Sequence, residues 1–396
     1  MRPNQPTDRV NGYVPSLDGV RGCAFLLVFC AHYFLPFLLA NRGTVKYSLV
    51  SALLNPSIFA LPAFFVLSGF LIGGILYDTR NREGYFRIFY SRRVLRIFPV
   101  YYLALLGIYV FFKTHGIVPN YRFWVHFVYI QNLLPGYYAY YQTGAVGMLH
   151  FWSLAVEEQF YMLWPLVVWL FPERKKLLKI VTGLCLGSFL LRAAAPLRFT
   201  AGQYACFTPT SMVTILLGVA LALLRGDKVL QRFAWMAKWV VLCGTGTAMV
   251  LAAWKGREWA FGFWGEEFVS PLTAIVAFAL VIAVQEKNSF LERIFSFRWL
   301  RWLGKISYSA YVFHLLYLPF FFSVVYVRLS RHMRPHFAAI ATGLAAFCLT
   351  LLLSTLSRIF IEGPAMSLKH RFPYGAERPP RPGSQGSEEP LANTVT

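Results

Sequence analysis

Long apolar runs, separated by short polar segments that are mostly basic, set the rhythm of this chain. Ten of them approach the length that crosses a hydrocarbon core: 17–40, 58–77, 97–113, 150–171, 177–195, 208–225, 238–254, 268–285, 306–327 and 337–360. They predict an all-α protein, a polytopic transmembrane helix bundle of about ten spans. The piece 121–135 is apolar and aromatic but short, and it holds His126, Gln131 and Asn132. It is expected to be interfacial or re-entrant rather than an eleventh span. The first run is anomalous: it carries Asp18 and Arg21 at its start and His32 near its middle. On a helix, the step from Arg21 to His32 is three turns plus roughly 20°. Both side chains therefore lie on one face, about 16 Å apart along the axis. A central Arg or Asp costs on the order of 2.5–3.5 kcal/mol on insertion scales. Arg21 can snorkel to the interface, whereas His32 is too deep for that and is expected to be used inside the protein.

Composition agrees with the pattern. The 396 residues are 57% hydrophobic and only 14% charged, where a soluble domain is about a quarter charged. That deficit excludes an ordinary soluble enzyme. The net charge of +21 does not point to nucleic acid, because the Lys and Arg residues cluster in short loops. With both termini placed in the cytoplasm, the cytoplasmic segments hold more than twice the basic residues of the opposite side. The expected location is the cell (inner or plasma) membrane, multi-pass, with the lipid bilayer as a partner. The six cysteines form no C-x-x-C or Cys/His cluster, so neither a disulfide framework nor a metal site is expected. Residues 1–16 read as a cytoplasmic tail, 17–365 as the transmembrane domain, and the Pro-, Gly- and Ser-rich 366–396 as a disordered cytoplasmic tail.

Several polar constellations interrupt the apolar pattern. Arg92, Arg93 and Arg96 fall within about one turn at the entry to the third run. Such a cluster orients a span and attracts anionic lipid, and its guanidinium forks also match phosphate groups. The stretch His150-Phe-Trp-Ser-Leu-Ala-Val-Glu-Glu-Gln-Phe-Tyr161 brings His150, Glu157 and Glu158 to one span. His150, Glu157 and Tyr161 share a helical face, and Glu158 points about 100° away. Carboxylates there are costly unless paired or used, although Trp, Tyr and Glu are also ordinary at an interface. Ser68-Gly69 interrupts the second run, where close helix packing is the simpler account of Gly69. Ser307, Tyr311 and His314 lie along one side of the ninth run and either line a polar cavity or bond across helices.

Taken in order, these pieces resemble the acyltransferase-3 family of integral membrane acyltransferases. The matching stretches are Ser16-Leu-Asp-Gly-Val-Arg-Gly with His32 (an R-x10-H pattern), Phe-Phe-Val-Leu-Ser-Gly-Phe-Leu-Ile, Arg-Arg-Val-Leu-Arg-Ile-Phe-Pro, Phe-Trp-Ser-Leu-Ala-Val-Glu-Glu-Gln-Phe-Tyr, Ile-Ser-Tyr-Ser-Ala-Tyr-Val-Phe-His and Arg358-Ile-Phe-Ile-Glu-Gly-Pro364. They cover roughly residues 16–365. Gly363 departs from the pattern, since many members carry a basic residue there. A fused extracytoplasmic esterase-like domain, present in some members, is not expected in this chain.

The resemblance implies acyl transfer, acetyl most simply, to a hydroxyl of a glycan, glycolipid or glycosylated metabolite. It implies acyl-CoA (acetyl-CoA by family default) as co-substrate and no tightly bound cofactor. It assigns His32 as the catalytic residue, Arg21 as its partner near the donor, and Arg93 and Arg96 to the CoA phosphates, with Arg92 alongside. Glu157 matches the acid of the Trp-Ser-Leu motif. Asp18, Glu158, His150, Ser68, Tyr311 and His314 are the expected substrate-binding set. Two mechanisms stay open: His32 as general base, or an acyl-histidine intermediate. A competing class also stands, a proton-coupled transporter or flippase in which His32, Glu157 and Glu158 relay protons and the arginines hold a lipid head group. A third reading is a lipid-binding scaffold. Acceptor, acyl-chain length and oligomeric state stay open.

Overall fold

The computed structural model describes residues 13–39, 55–137, 140, 146–194, 206–255 and 263–375. Ten long helices carry the described chain: α1 (Pro15–Leu39), α2 (Ala60–Thr79), α3 (Tyr85–Thr114), α4 (Phe151–Leu170), α5 (Arg174–Ala194), α6 (Thr208–Leu223), α7 (Lys228–Lys255), α8 (Phe263–Ala283), α9 (Arg298–Phe313) and α10 (Pro335–Ser357). No strand occurs among the described residues. Each of the ten apolar runs contains one of these helices, the ninth broken after Phe313, so the expected membrane helix bundle is the observed fold. The count of ten spans is not reproduced by length and apolarity: among the described residues six helices meet both, or seven if a bent pair is one span. α6 is too short at 16 residues. In α4 the triplet Glu157-Glu158-Gln159 dilutes an otherwise apolar sequence.

Two helix pairs approach closely because glycines leave room for backbone. Between α1 and α9, a Cβ on Gly22 would lie 2.1 Å from the Leu300 carbonyl oxygen. Between α2 and α6, a Cβ on Gly69 would lie 1.9 Å from the Ile215 oxygen, and one on Gly218 2.1 Å from the Val66 oxygen. Gly69 is thus a packing residue, as its sequence context suggests, and Ser68 beside it is left to face inward. Around this core the outer surface is apolar. Leu184, Leu186, Phe189, Leu190 and Leu191 of α5 are exposed, as lipid-facing side chains would be.

Three segments depart from the pattern read off the sequence. The third helix starts at Tyr85, just after the left-handed Gly84 (φ 69°), so the arginine cluster lies within α3 and not ahead of it. Residues 121–133 form a short helical turn, Tyr121–Trp124, and two 3-10 turns, none able to cross a bilayer. They are pinned from three sides. Tyr101 and Tyr102 of α3 donate to the carbonyls of His126 and Phe127; Gln159 of α4 donates to Tyr129 O and Asn132 Oδ1; and Asn132 donates to Thr208 Oγ1 at 2.8 Å.

The third departure corrects the boundary of the C-terminal tail. α10 runs on through a π-helical turn, Arg358–Glu362, then a short helix, Gly363–Ser367, and a 3-10 turn, Leu368–Arg371. Pro364 sits in the first turn of that short helix, where its missing N–H costs nothing, so it starts an element and does not end one. The following residues dock on α3: Arg92 Nε donates to Phe372 O at 2.8 Å and the guanidinium lies over the Tyr374 ring. Residues 366–375 therefore belong to the folded body. The remainder of the expected tails, 1–12 and 376–396, lies outside the described residues.

Candidate active site

A cavity of about 200 Å³ opens between α1, α2, α3, α4 and α9. Its polar lining is Arg21 of α1, Ser68 of α2, Arg93 and Arg96 of α3, Ser153, Glu157, Glu158 and Tyr161 of α4, and Ser307, Tyr308 and Tyr311 of α9. Phe64, Leu71, Ile72 and Ile97 supply apolar walls. Eight residues singled out in the sequence, from five motifs, thus meet in one place: Arg21, Ser68, Arg93, Arg96, Glu157, Glu158, Ser307 and Tyr311. Helical spacing explains the convergence within α4, because Glu157, Tyr161 and Leu154 recur at one-turn intervals on one face.

The charges inside are mixed. Glu157 lies beside Ser68 and Tyr161, with Arg21 and Arg93 in electrostatic reach. Ser68 Oγ and Tyr161 OH share a 2.5 Å hydrogen bond. The Arg93 guanidinium lies within cation–π range of the Phe89 and Tyr161 rings, 5.6 and 5.3 Å from their centroids. Glu158 faces Glu157 and Arg93. Both carboxylates line the cavity despite their angular separation, because the cavity wraps around that part of α4.

Other expected site residues lie elsewhere. Asp18 accepts from Tyr13 OH at 2.7 Å and pairs with Arg21 at 3.8 Å, behind the cavity wall. Arg92 turns outward to Phe372 and Tyr374. His32, His150 and His314 do not line the cavity; they form a cluster just beyond Tyr311. The His314 ring is 5.3 Å from Tyr311, 5.2 Å from His32 and 5.0 Å from His150, centroid to centroid. Tyr311 OH also bonds Ser153 Oγ at 2.7 Å, so Tyr311 is the side chain shared by the two groups. It contacts the cavity on one side and the histidines on the other.

α9 builds the histidine cluster by ending. It stops at His314, and the chain turns by 76° into Leu318–Ser330. A helix end releases its last carbonyls. Here Tyr311 O accepts from His314 Nδ1 at 2.7 Å, Val312 O from His150 Nε2 at 3.0 Å, and His314 O from Tyr33 OH at 2.7 Å. His314 Nε2 lies 3.3 Å from His32 Nδ1.

Three further residues at or beside the cavity are not among the expected site residues. Tyr161 had a signal, its one-turn spacing from Glu157. Glu362 is buried, 3.5 Å from Ser357 Oγ and in electrostatic reach of Arg96 and Arg358. A π-helical turn points it inward, and a 3.6-residue period does not foresee that. Lys369 was assigned to the tail, yet it faces Arg92, Arg93 and Arg96. Four cations thus gather at one end of α3, and among the described residues Arg93, Arg96 and Lys369 make no ion pair.

Fold and cavity define a multi-pass membrane protein with a charged site inside its helical bundle. The model for the acyltransferase domain of the acyltransferase-3 family matches residues 14–359, and the chain belongs to that family. Among characterised relatives, it is 30% identical over 322 residues to the peptidoglycan O-acetyltransferase OatA of Listeria monocytogenes, covering 76% of this chain and 49% of the relative. It is 28% identical over 334 residues to the putative peptidoglycan O-acetyltransferase YrhL of Bacillus subtilis, covering 76% of this chain and 48% of that one. It is 27% identical over 322 residues to the O-acetyltransferase OatA of Staphylococcus aureus, again over 76% of this chain and 50% of the relative. The chain spans about half the length of these relatives. No solved structure matches it.

Proposed function

We propose that this chain is a membrane O-acyltransferase that moves an acyl group, most simply acetyl, from acyl-CoA to a hydroxyl of a glycan or glycosylated acceptor. The observation that carries the reading is the gathering around one cavity of Arg21, Ser68, Arg93 with Arg96, and Glu157, drawn from four different family motifs. Arg93, Arg96 and Lys369, which make no ion pair within 4 Å among the described residues, suit the phosphate groups of a CoA donor, which guanidinium forks bind well. Loop charges put this end of the bundle in the cytoplasm, where acyl-CoA is available.

In this account His32 is the general base. It takes the proton of the acceptor hydroxyl as the oxygen attacks the thioester carbonyl. The C–O bond forms and the C–S bond breaks. The proton then passes to the departing thiolate, giving the ester and free CoA and restoring neutral His32. Glu157, held by Ser68, Tyr161 and Arg21, orients the reacting groups.

The acceptor class comes from the relatives, whose names specify peptidoglycan O-acetylation. Mass spectrometry of surface glycans and secreted metabolites, from cells carrying wild type or His32→Ala, tests the reading. One species is expected to lose the mass of one acyl group in the variant. Identical profiles, together with proton-driven movement of a lipid-linked or anionic substrate by the purified protein, would establish the transporter reading instead.

A further inference from the structure

The three clustered histidines hold a constraint that the reaction above does not use. A peptide carbonyl can only accept a hydrogen bond, so any ring nitrogen bonded to one must carry a proton. Tyr311 O is 2.7 Å from His314 Nδ1, so that nitrogen is the protonated one. In a neutral His314 the lone pair is then on Nε2, which faces His32 Nδ1 at 3.3 Å. For that contact to be a hydrogen bond, His32 Nδ1 must donate. His32 Nε2 then carries the lone pair.

We propose that His314 is a positioning residue that fixes His32 in its Nδ1–H tautomer and so makes Nε2 the basic nitrogen. The inference rests on the reading of His32 as general base. It extends that reading by naming the atom that takes the proton and the group that decides it. The arrangement has the logic of a triad's third member, which selects the tautomer of the base without touching substrate. Here the orienting group is a second imidazole, itself set by a main-chain carbonyl freed at the end of α9.

The surroundings leave His314 little room to swing. It is fully buried. Phe25 meets its ring edge-on with centroids 6.0 Å apart, and His150 does so from another side. His150 is held in turn by its 3.0 Å bond to Val312 O. The same helix end therefore anchors both neighbours through consecutive carbonyls, Tyr311 and Val312. Tyr33, one residue after His32 on α1, donates to His314 O and ties the two helices at the level of the contact.

The test uses the full chain in nanodiscs, labelled with 15N-histidine. Comparison with His32→Gln assigns the His32 resonances. The expected spectrum has His32 Nδ1 as the protonated nitrogen and Nε2 as the unprotonated one. In His314→Leu that preference is lost, and kcat with acyl-CoA and acceptor falls by about 10–100-fold, the range for removing a group that orients a functional histidine. KM for acyl-CoA stays within about twofold of wild type on the same reasoning, because His314 does not line the donor cavity. His314→Gln, whose amide oxygen restores an acceptor facing His32, recovers most of kcat.

A wild-type spectrum with the proton on Nε2 overturns the proposal. So does full turnover by His314→Leu when His32→Ala is inactive, although the transferase reading then survives. Full activity in both His32→Ala and His314→Leu removes the general-base reading itself. If His314→Leu fails to fold, the wild-type spectrum and the Gln variant still decide.

Discussion

Gly304 of α9 lies so close to Asp18 of α1 that a Cβ built on it would sit 1.8 Å from the Asp18 carbonyl oxygen. The two helices run in the same direction: Gly22 meets Leu300 near their starts, and Tyr33 meets His314 at the end of α9. Their register therefore sets Arg21 at the level of Leu300 and Gly304, and His32 against His314 just past the end of α9. Gly304→Ala forces the helices apart and is expected to cost at least about 1–3 kcal/mol, the usual price of overpacking. Thermal unfolding in detergent checks it. Gly107→Ala, at an exposed glycine with nothing within 4 Å, is the control and leaves the midpoint unchanged or slightly raised.

Arg93 and Arg92 are neighbours in sequence with different surroundings. Arg93 lines the cavity between the Phe89 and Tyr161 rings, and Arg92 is bonded to Phe372 O. If Arg93 holds a donor phosphate, Arg93→Ala loses a charge-assisted contact of about 1.5–3 kcal/mol, or about 10–100-fold in KM for acyl-CoA. Arg93→Lys recovers only part, because a point charge does not replace a planar fork. Arg92→Ala has the smaller effect on KM. Steady-state kinetics over a range of acyl-CoA concentrations separates the three, and equal effects at positions 92 and 93 would contradict the assignment.

The Ser68–Tyr161 hydrogen bond beside Glu157 gives a third expectation. Tyr161→Phe leaves a buried hydroxyl without its partner, a loss of about 1–3 kcal/mol. Where about 1.36 kcal/mol of that loss falls on the positioning of Glu157 in the transition state, kcat/KM falls about tenfold. Glu157→Gln, which keeps the shape and removes the charge that Arg21 and Arg93 face, is expected to cost more, about a hundredfold in kcat. Unchanged turnover in the Gln variant would remove Glu157 from the mechanism.

Gln159 has a different job from its acidic neighbours. Its amide donates to Tyr129 O at 2.6 Å and Asn132 Oδ1 at 2.9 Å, and accepts from Thr208 Oγ1 at 2.6 Å. It locks the 121–133 segment to α4 and α6. Gln159→Ala is expected to lower stability by about 1–3 kcal/mol through the polar groups left unpaired. Turnover per folded molecule stays at the wild-type value. Unfolding midpoints measured alongside active-site-normalised rates distinguish the two roles.

Much of this was legible in the sequence, for identifiable reasons. Apolar runs near 20 residues announce membrane helices, and one-turn spacing puts Glu157 with Tyr161 and Arg21 with His32 on common faces. What periodicity misses is where a helix stops being regular. The break after Phe313 aims Tyr311 O and Val312 O at two histidines, and the π-helical turn at Arg358–Glu362 swings Glu362 inward. Lys369 was hidden differently. Pro364 and the Pro- and Gly-rich residues beyond it read as the end of structure, whereas Pro364 opens a helix that docks on α3. Sequence spacing alone also groups Arg92 with Arg93 and Arg96, because it carries no information about the Phe372 carbonyl that draws Arg92 away.

The central claim, that this bundle transfers an acyl group using His32, is tested most directly by purified full-length protein in nanodiscs supplied with [14C]acetyl-CoA and glycan acceptors. Wild type is expected to release CoA and label the acceptor in equal amounts, and only when acceptor is present. His32→Ala is expected to do neither while unfolding at the wild-type temperature. Acceptor labelling by His32→Ala at the wild-type rate would contradict the claim. A labelled enzyme trapped without acceptor would replace the general-base step with an acyl-histidine.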